Sequence, residues 1–310
     1  MSDTPIKADW VALDWGTSNL RAWAMGADGS IRAEARSDAG MSGIAPGPEG
    51  FEPVLLGLAG DWLAEGRKTD VIACGMVGAR QGWAEAGYRA VPAQPLDPGA
   101  ITRAVAHDAR LNVHILGGLS QTNPHDVMRG EETQIAGFLS RSPGFEGVVC
   151  LPGTHTKWAQ IVGGEVFHFA SFMTGELFAL LAGKSILRHS LDLAHFERDA
   201  FVEAAEESLA RPERIAAKLF TLRAEHLLQG ADPAAASRLS GYLLGMEVAG
   251  AKPYWLGQPI ALVAAGRHAE RYGAIFDHLS VDYTTHDPDT CVLQGLSDAR
   301  THLLTPEGTA

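Results

Sequence analysis

Cysteine, cationic side chains and long apolar runs are all scarce in this chain, and each shortage excludes something. Only Cys74, Cys150 and Cys291 occur in 310 residues. They are odd in number, far apart and set in apolar runs, so they read as buried reduced thiols and not as a disulfide framework. Lysine and arginine total 25 against 37 aspartate and glutamate, a formal charge of −12. That balance argues against nucleic acid or an anionic membrane surface as partner. No apolar stretch approaches the ~18 residues of a membrane span. Met1 to Asp9 is polar without an apolar core, so no signal peptide is expected and the expected location is cytoplasmic. The twelve histidines include no H-E-x-x-H, which removes that zinc-hydrolase signature. Ala182-Gly183-Lys184-Ser185 is half of a phosphate-binding loop, but Phe178 stands where that motif needs glycine.

Glycine is in surplus, at 35 of 310 residues, against a typical ~7%. A chain of ~300 residues lies where single cores stop growing, so two domains with a cleft between them are expected. Strand and helix signals alternate. Trp10 to Leu13 is a short apolar run that ends in Asp14-Trp15-Gly16-Thr17-Ser18-Asn19, and Leu20 to Met25 returns as a second strand. Ala27-Asp28-Gly29 is a hairpin signal before a third strand, Ser30 to Arg36. Phe51, Val54, Leu55, Leu58 and Trp62 share one helical face. Strands are expected at Val71–Val77 and Val113–Leu116, and a helix at Glu131–Leu139. VVCLPGTHTKWAQIVGG, from Val148, then repeats the pattern of VALDWGTSNLRAWAMGADG: strand, Gly-Thr turn, strand, glycine turn. Two copies are too few for a solenoid, so duplicated domains account for them. Helical spacing follows from Glu176 to Gly245, then an apolar strand at Ile260–Ala265, a helix at His268–Leu279 and a last helix at Leu293–Leu304. The boundary is expected near residue 111, giving domains 1–110 and 111–310.

A strand ending in Asp-x-Gly-Thr offers backbone N–H groups and a hydroxyl at its tip. Glycine admits a phosphate closely, and the N–H groups form an anion nest. A neighbouring acid can hold a cation. One such loop in each domain would clamp a nucleoside triphosphate, and phosphoryl transfer needs mainly positioning and charge neutralisation. These two loops and the later Val263-Ala264-Ala265-Gly266 resemble the actin/Hsp70/sugar-kinase superfamily. The strings DWGTSNLRAW, CGMVGARQGW, DVMRGEETQIAG, LPGTHTKW and FMTGELFALL are similar to 2-dehydro-3-deoxygalactonokinases. The resemblance runs from about Trp10 to Ala265. It implies an α/β protein of two duplicated ribonuclease-H-like domains, the actin/hexokinase-type ATPase fold. It further implies transfer from ATP, with Mg²⁺, to the 6-hydroxyl of 2-dehydro-3-deoxygalactonate in galactonate breakdown.

The resemblance assigns roles. Asp14 would hold Mg²⁺, and Gly16, Thr17 and Ser18 would contact phosphates. Gly153, Thr154, His155 and Thr156 would contact the other phosphates, and Gly266 the adenosine. Leu151 departs from the superfamily, many members of which carry a second aspartate there, so the metal duty falls on Asp14 alone. Glu131 ranks first as general base because it follows Gly130 at the helix start, and Asp126 ranks second. The carboxylate of a sugar acid needs cations, and arginine supplies a bidentate fork. Arg80 comes first, then Arg129, with Arg21 and Lys157 just beyond the two turns. Three readings stay open: this kinase, a kinase of another sugar or sugar acid, and an ATP-binding scaffold without turnover. The galactonate- and gluconate-derived acids differ at one carbon and are not separated by sequence, and a homo-oligomer is also left open.

Overall fold

Trp10–Trp15 (β1) and Leu20–Met25 (β2) are buried at almost every position, as strands covered on both faces should be. They form the centre of the larger sheet in a computed structural model that describes residues 6–304. β2 runs antiparallel to β1 and to the more exposed Ile31–Ser37 (β3). The helix Pro48–Ala59 (α1) follows, and Thr69–Gly75 (β4) then pairs parallel to β1. Tyr88–Ala90 (β5) leaves for a small sheet, Thr102–Ala104 (β6) forms an edge, and Leu111–Ile115 (β7) pairs parallel to β4. The large sheet has the order β3-β2-β1-β4-β7-β6. Gly118–Thr122 (β8) and His125–Met128 (β9) complete the small sheet, in the order β5-β8-β9, before the helix Glu131–Arg141 (α2). On one face of the large sheet Leu13, Trp15, Leu20 and Ala22 bury Phe51 and Leu55 of α1.

The pattern then recurs. Gly147–Leu151 (β10), Thr156–Val162 (β11) and Glu165–Phe172 (β12) are followed by Ile260–Val263 (β13) and Tyr283–His286 (β14), in the order β12-β11-β10-β13-β14. β10 is antiparallel to β11 and parallel to β13, and β13 is parallel to β14. Five helices separate β12 from β13: Thr174–Lys184 (α3), Arg198–Ala210 (α4), Ile215–Gln229 (α5), Ala235–Gly250 (α6) and Lys252–Trp255 (α7). Gly266–His278 (α8) joins β13 to β14. In both sheets a three-stranded meander ends at a central strand, and two parallel strands extend it on the other side. This is the duplicated ribonuclease-H-like fold that the resemblance implied, and the repeat marks its two copies.

The boundary differs from the expected one. β7 pairs with β4 from Thr69↔Leu111 to Ala73↔Ile115, so residue 111 enters the first sheet and cannot open a second domain. One compact unit comprises the chain to Phe145, Gly163–Phe167 and the part from Pro288 on. The other comprises Glu146–Val162 and His168–Asp287. The last helix, Pro288–Leu304 (α9), therefore belongs to the first unit. Its Val292, Leu296 and Ala299 pack on the sheet face formed by Trp10, Ala12, Trp23 and Cys74. All three cysteines are free and buried. No helix among the described residues is long and apolar enough to cross a membrane.

Candidate active site

The β1–β2 register sets Asp14 opposite Arg21 and Trp15 opposite Leu20, which leaves residues 16–19 as the turn. Gly16 N–H donates to Asn19 C=O at 2.8 Å, closing it. The 40–42 segment supports it from behind: Met41 and Ser42 N–H donate to the carbonyls of Gly16 and Thr17. A Cβ on Gly40 would lie 2.3 Å from Thr17 O, so only glycine lets that segment approach. Thr17 and Ser18 are exposed at the tip. Asp14 is paired with Arg21, which also reaches Asp289 at the start of α9. Arg21, a sequence candidate for substrate, is thus engaged by two carboxylates.

Beside Asp14, the end of β4 meets the start of α2. Gly75 has φ +90°, and a Cβ there would stand 2.7 Å from Trp15 O and 3.3 Å from Asp14 Oδ1. Gly130, the residue before α2, has φ +107°, and its Cβ would come within 3.2 Å of Gly75 Cα. Two left-handed glycines therefore let the helix start sit against the strand end. Glu131 opens α2, half-buried, and its carboxylate accepts the Arg129 N–H at 3.0 Å. Glu132 is fully buried and accepts from Gly130 N–H at 2.7 and 2.9 Å and from the Thr133 hydroxyl at 3.1 Å. Burial, and then the charge of Glu131, pushes the Glu132 carboxyl up to about 8. Burial together with the charges of Asp14 and Glu132 also holds the Cys74 thiol protonated. Asp126 lies apart from the helix start, in β9 of the small sheet, where its carboxylate accepts the Val127 N–H.

Of the two leading cations, one packs against Gly78 and the other follows that glycine in the chain. Arg129 is 9% exposed, with its guanidinium 4.2 Å from the centre of the Tyr88 ring. Its Nη2 donates to Ala86 C=O at 2.7 Å and its Nε to the Tyr88 hydroxyl at 3.3 Å. Its Nη1 is buried without a partner and lies 2.9 Å from where a Gly78 Cβ would be. Arg80 is exposed two residues further on. The bonds Trp83 N–H to Val77 C=O and Ala86 N–H to Gly78 C=O hold the loop that carries it.

In the second unit the Gly153–Thr154 turn is braced by the start of α3. Glu176 N–H donates to Thr154 C=O at 3.0 Å, and a Gly175 Cβ would lie 2.3 Å from Gly153 O. His155 Nε2 lies 2.5 Å from Glu176 Oε2. Thr156 differs from expectation: its side chain is buried and its hydroxyl is 2.9 Å from the Tyr272 hydroxyl. Tyr272 and Trp158 both donate to Glu247 Oε1, at 2.8 and 2.9 Å, and burial raises the Glu247 carboxyl. The Thr156 hydroxyl is therefore spent on the core. Lys157 is buried, with Nζ 3.4 Å from His155 O. Leu151 is buried at the end of β10, so no carboxylate stands at the position matching Asp14. Gly266, with φ +53°, is exposed at the first turn of α8.

Glu132 and Asp289 were missed from sequence. Glu132 carries the same first-turn acid signal as Glu131, and nothing local distinguishes the buried one. Asp289 meets Arg21 across 268 residues, a separation that no local pattern bridges.

Comparisons with known proteins show the family. The family model for 2-keto-3-deoxy-galactonokinase matches residues 14–299. A Rhizobium meliloti (strain 1021) protein named as a probable 2-dehydro-3-deoxygalactonokinase is 37% identical over 297 residues, covering 94% of this chain and 96% of that one. The Escherichia coli (strain K12) 2-dehydro-3-deoxygalactonokinase is 36% identical, over 94% of this chain and 97% of its own length. A crystal structure of a Sinorhizobium meliloti protein assigned as a 2-dehydro-3-deoxygalactonokinase superposes with a TM-score of 0.86 at 36% identity, over 97% and 98% of the two chains. The chain belongs to the 2-keto-3-deoxy-galactonokinase family.

Proposed function

We propose that this family member phosphorylates the 6-hydroxyl of 2-dehydro-3-deoxy-D-galactonate with ATP, in the cytoplasm. The observation that carries the acid-sugar reading is Arg129, a buried guanidinium with one unpartnered nitrogen and no ion-paired carboxylate among the described residues. A buried charge without a counter-ion costs several kcal/mol, which an anionic ligand offsets. Arg80, on the loop whose Ala86 carbonyl accepts from Arg129, adds a second cation for the substrate carboxylate.

Glu131 takes the proton of the attacking hydroxyl, its carboxylate fixed by the Arg129 N–H. Glu132, protonated at neutral pH, places no second negative charge beside it. The exposed turn residues Thr17 and Ser18 offer backbone N–H groups and hydroxyls to phosphate oxygens, while Gly16, its N–H closing the turn on Asn19 C=O, lets the phosphate approach the backbone. In the second unit the turn Gly153, Thr154 and His155 offers the same kind of nest. Gly266 gives the adenosine close access to the start of α8. Thr156 contributes through its backbone. One strand-end carboxylate suits Mg²⁺, which takes one or two carboxylates plus substrate phosphates and water. Asp14 would hold it, and the bound cation would neutralise phosphate charge.

The test couples ADP release to a readout across 2-dehydro-3-deoxy-galactonate, its gluconate-derived epimer, other sugar acids and neutral sugars. Turnover is expected with the first and not with the neutral sugars. Activity confined to neutral sugars overturns the proposal.

A further inference from the structure

Packing of α9 on the sheet carries its first turn, with Asp289, to the ends of β1 and β2. There Asp14, Arg21 and Arg36 stand in one row, because the registers pair Asp14 with Arg21 and Arg21 with Arg36. Cross-strand partners share a face and interact directly. Arg21 divides its guanidinium between two acids, Nη2 donating to Asp14 Oδ2 and Nη1 to Asp289 Oδ1. The second oxygen of Asp289 accepts from Arg36 Nη2 at 2.7 Å, and Arg36 Nε donates to Glu34 at 2.5 Å.

We propose that Asp289 is a positioning residue that governs how readily Asp14 takes a divalent cation, by holding half of the arginine that otherwise covers it. The proposal rests on the reading of Asp14 as the cation-holding carboxylate. Arg21 and a cation compete for the same oxygens of Asp14. Without Asp289, Asp14 becomes the only carboxylate that Arg21 bonds. The four groups Asp14, Arg21, Asp289 and Arg36 also change from neutral to singly positive. Both changes act against cation entry. A different role for an acid in the first turn of a helix is to complement the helix dipole. That role would alter stability without reference to Arg21.

The experiment titrates Mn²⁺ into the nucleotide-free full-length chain and reads free ion by electron paramagnetic resonance. Asp289→Asn is expected to weaken Mn²⁺ binding about fivefold, and Arg21→Gln to tighten it. In the Arg21→Gln background, Asp289→Asn should weaken Mn²⁺ binding clearly less than in the parent, because only the lost charge of Asp289 then acts and not the freed arginine. Equal weakening in both backgrounds overturns the proposal, because the effect then does not pass through Arg21. Unchanged affinity in the single Asp289→Asn variant also overturns it. If Asp14→Asn binds Mn²⁺ as well as the parent, the reading of Asp14 falls and this proposal falls with it. The substrate-panel assay remains a separate test of the sugar acid.

Discussion

Two adjacent glutamates at the start of α2 have opposite environments, so they should respond differently to the same substitution. Glu131→Gln removes the base and is expected to lower kcat by about 10²–10⁴ while binding of both substrates persists. A near-normal kcat in that variant would pass the role to another group. Glu132→Gln should instead change how stability depends on pH. The folded Glu132 titrates near 8, against ~4.3 for a free side chain. The native state therefore keeps a proton that the unfolded chain releases. This contribution to stability is full below pH ~4 and declines by up to ~1.4 kcal/mol per unit until pH passes the folded value. Urea midpoints measured from pH 5 to 8 should fall for the parent and stay flatter for Glu132→Gln; parallel profiles would contradict the assignment. Arg80→Ala should raise KM for the acid sugar by about tenfold or more, and KM for ATP far less, as the loss of a charge-assisted contact implies. Equal rises in both would end its carboxylate role.

Among the elements, α2 and α9 touch through glycine. A Cβ on Gly137 would fall 1.9 Å from Cys291 O, and one on Gly295 would fall 2.1 Å from Thr133 O. Backbone meets backbone there, so no side chain can yield. Gly137→Ala should therefore destabilise the protein by about 1–3 kcal/mol or more. It should also displace the two helix starts, which carry Glu131 and Asp289. Thermal melts and kcat should fall together, and an unchanged melting temperature would show that the crossing is looser than described. None of this contact was legible, because helical glycines 158 positions apart carry no mutual signal in one sequence. Other elements were. The buried central strands and the two Gly-Thr hairpins stood out because apolar runs and turn residues are local. The small sheet was not legible: β5 and β9 span three and four residues with exposed positions, too short for alternation to register. That is why nothing in the sequence marked Asp126, the second-ranked base, as a strand residue.

At the scale of the molecule the duplication was readable, but the boundary was not. Parallel pairing of β7 with β4 is a non-local choice that leaves no mark near residue 111. Net charge is the other global property, and it sets the last expectation. A chain of −12 proposed to bind ATP and a sugar acid must attract anions at short range while repelling them at long range. The two ranges separate by screening. Raising monovalent salt from ~10 to ~150 mM shortens the Debye length from ~30 to ~8 Å, which suppresses distant surface charges, whereas buried pairs are screened much less. Arg129 is such a buried cation, so its attraction should outlast the repulsion from the acidic surface. kcat/KM for the sugar acid is therefore expected to rise by on the order of twofold over that interval, as anion encounter speeds up. A steady fall with salt would mean that exposed cations such as Arg80 dominate capture, and that Arg129 acts only after the substrate has arrived.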